Sequence, residues 1–280
     1  MKKRFGVGRT SLVVVATIIL TTLSINAADH FGSLKESLLG SVASSGTPKC
    51  SAGMVLVPFG ERDFCIDMYE NSPGKNCSYM DPANNEQTRI NIEDVDCVPV
   101  SVAAASPWRN IARHQAESAC ARAGKRLPTN KEWYRAALGT PDPPNDWGST
   151  GCNLGKNSAS LPDPTGSRDR CVSSVGAFDM VGNVWEWVDG SVTLGQYGNR
   201  TVPSSGFVTS VDSDGVPVVT AANTDPAFND DYFWADASQG VSGMIRGGYW
   251  GIDSDAGLYA INTVIPPTFT GTGAGFRCVK

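Results

Sequence analysis

Eight cysteines, at positions 50, 65, 77, 97, 120, 152, 171 and 278, constrain this 280-residue chain more than any other feature. An even count with no close CxxC pair reads as a disulfide framework rather than a zinc knuckle or redox site. Such a framework needs an oxidising compartment, and the N-terminus points to one. Lys2, Lys3, Arg4 and Arg9 are basic, Leu12 to Leu23 is apolar with interspersed Thr, and Ala27-Ala28 offers small residues for cleavage, the layout of a signal peptide over 1–27. The apolar run is shorter than the roughly 20 residues of a spanning helix. No stable membrane span is therefore expected after cleavage, an uncleaved anchor being the alternative, and no cysteine stands near enough for a lipoprotein anchor. The expected location is periplasmic, secreted or cell-surface.

Charge and histidine content exclude two partner classes. Removing the signal takes away four bases and no acids, moving the formal charge from -5 to -9, which does not suit a nucleic-acid binder. Only His30 and His114 are present, so a histidine-rich metal site cannot be built.

Eight cysteines allow about 105 connectivities, and spacing narrows them. Cys50 and Cys65 bracket Met54 to Pro58 and a turn at Gly60, as hairpin ends would. Cys77 with Cys97 and Cys152 with Cys171 would each staple a loop rich in Pro, Asn, Gly and Asp. That leaves Cys120 with Cys278.

Residues 28–49 read as a polar tether and 50–280 as one domain. Met54 to Val57 and Phe64 to Asp67 predict two strands around a turn, Asn71 to Asp96 an irregular segment, and Val98 to Val102 another strand. Ile111, Gln115, Ala116, Ala119, Cys120 and Ala123 recur at helical spacing, with Gly124 as the stop. A second helix follows, its capping box made by Thr129 and Glu132 and its buried side by Trp133, Ala136 and Ala137, ending at Gly139. Residues 140 to 280 show only turns, short apolar runs and glycines. The fold class is therefore α+β, with two helices, short sheets and many loops.

The most specific stretch is Asp179-Met180-Val181-Gly182-Asn183-Val184-Trp185-Glu186-Trp187-Val188. Together with Gly53 to Pro58, Phe64 to Glu70, Ala123 to Thr129 (AGKRLPT), Arg246-Gly247-Gly248 and Gly275-Phe276-Arg277-Cys278, it resembles the formylglycine-generating enzyme, or sulfatase-modifying factor, family. The resemblance implies a C-type-lectin-like fold and, independently of spacing, the Cys120 to Cys278 bridge. It implies a calcium site at Asp179, Gly182, Val184 and Glu186, two side-chain and two backbone oxygens suited to a hard ion. Asn153 and Leu154 resemble the start of a second calcium site, after which the spacing departs from the family. Arg126, Glu132 and Arg246 are expected to pair within the scaffold.

Catalytic members of the family carry a cysteine pair soon after the RGG motif, which binds copper and oxidises a sulfatase cysteine to formylglycine. Ungapped counting puts Ile252 and Gly257 there, neither of which can ligate Cu(I). Copper is therefore not expected, no catalytic residue is assigned, and the family's iron branch would need several histidines. Between RGG and GFRC no charged residue follows Asp255 until Arg277. Trp250, Ile252, Asp253, Asp255, Tyr259, Asn262 and Phe269 are the candidate ligand-binding surface, and Tyr232, Phe233 and Trp234 could join it. The expectation is a noncatalytic, exported ligand-binding or scaffold domain for an unidentified protein or glycan. The alternatives are a formylglycine-generating oxidoreductase and a variable display protein of a diversity-generating retroelement, whose layout this segment also resembles.

Overall fold

A computed structural model describes residues 50–142, 151–155 and 161–280. The expected signal peptide and tether, with His30, lie outside the described residues. The first hairpin forms as anticipated: β1 (Met54–Val57) pairs antiparallel with β2 (Phe64–Asp67). β3 (Asn71–Pro73) pairs with β4 (Pro99–Ser101).

The segment between those two strands is not irregular. It contains α1 (Asn85–Glu93), capped by Asn84. Hydrophobic periodicity could not reveal this helix, because the residues it buries are polar, Thr88 and Asn91. Asn91 exchanges side-chain hydrogen bonds with the Tyr79 backbone at 2.9 and 2.7 Å. Thr88 Oγ1 donates to Arg109 O and accepts from Trp108 Nε1. The described residues thus hold three helices rather than two.

The other two helices lie where periodicity placed them. α2 (Arg113–Arg122) opens with Gln115 Oε1 accepting from Ala112 N and is followed by Gly124 in the left-handed region, φ 66°. α3 (Asn130–Ala137) has the reciprocal Thr129–Glu132 capping box. Arg126 adds a bidentate pair to the same Glu132 at 2.6 and 2.7 Å.

The chain beyond 180 is more regular than its glycine-rich sequence suggests. A nine-stranded sheet forms from β5 (Trp185–Thr193), β6 (Gln196–Tyr197), β7 (Arg200–Thr201), β8 (Gly206–Val211), β9 (Pro217–Ala221), β10 (Tyr232–Trp234), β11 (Val241–Arg246), β12 (Ile261–Asn262) and β13 (Ala274–Phe276). The order is β7-β6-β5-β11-β12-β10-β8-β9, with β13 parallel to β5. Several strands are two or three residues long, too short to show an alternation of their own.

Alternation in the central strands divides the interior. Phe233, Ile261, Met244 and Val188 enter one cluster with Trp133 of α3, whereas Trp187, Ile245 and Phe276 enter another with Trp108, Leu127 and the Cys120–Cys278 bridge. All eight cysteines are paired: Cys50–Cys65, Cys77–Cys97, Cys120–Cys278 and Cys152–Cys171. Among the described residues no helix is long and apolar enough to cross a membrane.

Candidate functional site

Sheet register assembles an apolar cleft from distant parts of the chain. Ile245 of β11, Asn262 of β12 and Trp234 of β10 are direct cross-strand neighbours. Trp185 of β5 lies opposite Ala274 of β13. These side chains, with Tyr249, Ile252, Ile265 and Phe269, line a cavity of about 330 Å³. Trp185 and Trp234 meet edge to face at 5.6 Å. A Cβ at Gly251 or Gly273 would collide with the Tyr249 ring, and one at Gly271 with Phe269. Glycine at those positions is what gives the two rings their places. The lining carries no charged side chain; besides the Tyr249 hydroxyl and the two tryptophan N–H groups, its polar side chains are Asn262, whose Oδ1 accepts from Val264 N, and Thr272.

Of the residues expected on this surface, Ile252, Asn262 and Phe269 come together in the cleft. Trp250 packs on Tyr249 at 5.4 Å, while Asp253 and Asp255 belong to a short 3-10 turn. Tyr259 points elsewhere, against Tyr134 and Phe228. Tyr232 and Trp234 share one face and Phe233 is buried on the other. Trp185, Tyr249, Ile245 and Ile265 were not expected; the glycines spaced around Tyr249 and Phe269 are the signal that could have marked those two rings.

A second cluster lies under the Asp179 to Glu186 loop. Glu186 and Arg277 are both fully buried and paired bidentately at 2.6 and 2.7 Å, with Trp133 Nε1 donating to Glu186 at 2.7 Å. Arg277 also donates to Asp67 O and Phe178 O. Glu70 accepts from Asn183 Nδ2 and Val184 N. Burial first, then the charges of Asp179 and Glu186, push Glu70 well above the usual carboxylate range. Burial likewise pushes Asp179 up to about 6, although Gly166 N donates to it at 2.6 Å.

Hard carboxylate oxygens and an excess of buried acid over guanidinium match the chemistry of calcium. However, Glu186 already gives both oxygens to Arg277, so an ion at Asp179, Gly182, Val184 and Glu186 would share that carboxylate. Among the described residues no three His, Cys, Asp or Glu side chains converge as a metal site. At the second expected site, Asn153 Oδ1 is buried without a partner, whereas Leu154 O accepts from Asp253 N. Arg246 is buried with its guanidinium 4.8 Å from the Trp133 ring and hydrogen-bonded to Asn130, Gly215 and Leu258. It is a scaffold residue, as expected.

The family's copper positions can now be placed. Ile252 is a wall of the cleft. Gly257 packs against two acids: a Cβ there would collide with Asp231 Oδ1 and lie 2.6 Å from Asp142 Oδ2.

Residues 57–280 match the Sulfatase-modifying factor enzyme 1-like domain. Hercynine oxygenase of Mycobacterium tuberculosis is 29% identical over 176 residues, 60% of this chain and 34% of that protein. The chain thus matches about a third of the length of this relative. Among solved structures, the Major Tropism Determinant P3c variant aligns with a TM-score of 0.45 and 18% identity, over 82% of this chain and 52% of the other. The crystal structure of CarF gives 0.45 and 15%, over 82% and 94%.

Proposed function

The chain belongs to the sulfatase-modifying factor enzyme 1-like domain family, and from that premise we propose that it is a noncatalytic, exported ligand-binding module of the family. The observation that carries this reading is the state of the two catalytic positions. Ile252 builds an apolar wall, Gly257 has no room for a side chain beside Asp231, and every cysteine is in a disulfide. Copper-thiolate oxidation needs two free thiolates that converge. Oxygenase chemistry like that named for the curated relatives, if it follows the family's iron branch, needs several histidines. Here His114 is exposed on α2 and His30 precedes the domain.

What takes the place of a reactive centre is the uncharged aromatic cleft. Apolar pockets of a few hundred Å³ with a small number of polar groups are the usual form of a small-ligand or side-chain site. Trp185, Trp234 and Tyr249 supply contact area, and Asn262 and Thr272 can orient a polar edge. Four disulfides support the export reading.

Calcium enters the proposal as a structural ion only, held by Asp179 and Glu186 with the Gly182 and Val184 carbonyls. The surplus of buried carboxylates supports it. A melting temperature that is the same in calcium and in EGTA would remove the ion from the proposal. The noncatalytic reading is tested by incubating the purified chain with a sulfatase-motif peptide, copper and oxygen. The expected mass spectrum shows unmodified cysteine, and formylglycine would overturn the assignment.

A further inference from the structure

Two acids from separate loops meet at the turn 257–259. Asp142 follows α3, and Asp231 precedes β10. Asp142 Oδ2 accepts from Leu258 N at 2.6 Å and from Asn229 Nδ2 at 3.1 Å. Asp231 Oδ2 accepts from Tyr259 N at 2.6 Å. Asp231 is wholly buried, and its other oxygen, Oδ1, has no hydrogen-bond partner. That oxygen is aimed at the side of Gly257 where Asp142 Oδ2 also lies, since a Cβ built on Gly257 would meet both.

A buried carboxylate oxygen without a partner is costly, and two adjacent carboxylates cannot both hold a charge cheaply in an enclosed site. We propose that Asp142 and Asp231 share one proton, Asp231 Oδ1 donating it toward Asp142, and that this carboxyl pair is a pH-responsive clamp on the 257–259 turn. The shared proton satisfies the orphaned oxygen and leaves one charge to accept from the turn's N–H groups. The turn leads into β12, whose Asn262 lines the cleft, so the clamp would set one wall of the proposed binding site.

The surroundings do not neutralise a second charge. Arg246 of β11 faces Asp231, but its guanidinium bonds to Asn130 Oδ1 and to the Gly215 and Leu258 carbonyls, not to an acid. Asp230 adds negative charge. Among the described residues Tyr259, beside Tyr134, also faces the pair, and Tyr259 is itself pushed up to about 12, chiefly by burial. Consistent with the geometry, burial raises Asp142 to about 7 and, with the charge of Asp142, holds Asp231 well above the usual range. A folded-state value raised in this way favours the folded turn fully below the ordinary carboxylate value of about 4, and the benefit is lost progressively up to about 7, above which both states are ionised.

The test is hydrogen exchange by mass spectrometry on the full chain between pH 5 and 9, corrected for intrinsic rates, reading peptides that span 257–262. Protection should fall about tenfold per pH unit from pH 5 to about 7, where opening releases the shared proton, and be constant above that. Asp231→Asn, whose amide can donate as the protonated acid does, should keep protection constant to pH 9. The proposal is overturned by wild-type protection that does not change between pH 5 and about 7, or by a fall that persists in Asp231→Asn. It is also overturned if millimolar CaCl2 restores protection at pH 8.5 and EDTA removes it, because the pair would then hold a cation in place of the proton.

Discussion

Replacing Cys120 and Cys278 together by alanine should cost about 5 kcal/mol of stability, and the structure says where that loss arises. The bridge spans 158 residues. On the chain-entropy account a loop of that length restricts the unfolded chain by about 5 kcal/mol, against about 3 kcal/mol for a 15-residue loop such as Cys50–Cys65. The nested Cys152–Cys171 bridge shortens the large loop by a minor fraction, which matters little because the dependence is logarithmic. In the folded state the C-terminal segment after β13 has other attachments. Asp67 N donates to Cys278 O at 2.9 Å, Cys278 N to Asp67 Oδ2 at 3.0 Å, and Arg126 and Val279 exchange backbone bonds at 3.0 and 2.8 Å. The native contacts should therefore survive, and the loss should appear mainly as slower folding. Guanidinium unfolding and refolding of C120A/C278A beside C50A/C65A would measure it. A smaller loss for the long bridge than for the short one, or a purely faster unfolding rate, would refute the entropic reasoning.

Three further outcomes are expected. Arg277→Met leaves Glu186 buried without its cation and should cost about 3–5 kcal/mol in denaturant unfolding, with Glu186→Gln in the same background recovering part of it. Thr129→Ala removes the N-cap of α3 and should cost about 1 kcal/mol, read as a shift in denaturation midpoint at unchanged m-value. Gly257→Cys, which restores a thiol at a family copper position, should lower stability by about 1–3 kcal/mol through overpacking against Asp231. It should also bind no Cu(I), as followed by competition with a copper-chelating dye.

What was legible in the sequence is what local chemistry fixes. The helix starts and stops around Thr129, Glu132, Gly124 and Gly139 follow from capping and from positive φ, which Gly139 adopts at 81°. The cysteine spacings worked because three of the four bridges close short loops. α1 was hidden because its inward face is Thr88 and Asn91, residues that the sequence marks as surface. The cleft was half visible. Ile252, Asn262 and Phe269 lie between two recognisable motifs, but Trp185 and Ile245 reach them only through sheet register, which strands of two or three residues do not encode in their own pattern. Asp142 and Asp231 read as ordinary loop acids; only their convergence on Gly257 reveals that Asp231 is enclosed, with the half-buried Asp142 beside it.

Apart from Trp185, which reaches the cleft, the motif residues described here are packing devices. Arg246 is buried on Trp133, and Gly247 and Gly248 hold φ of 89° and 85°, with Ala256 against the face of Gly248 where a Cβ would be. Arg277 sits at the centre of the cluster that ties Glu186 to the Asp67 and Phe178 carbonyls. None of these side chains lines the cleft. On the proposed noncatalytic reading the scaffold is retained while the copper chemistry is not, because the positions that would decide that chemistry, Ile252 and Gly257, lie outside every motif. In this chain one has become part of an apolar wall and the other the contact point of a carboxyl pair. Membership of the family consequently specifies how the loops are held, and on the proposed reading the cleft residues specify the ligand.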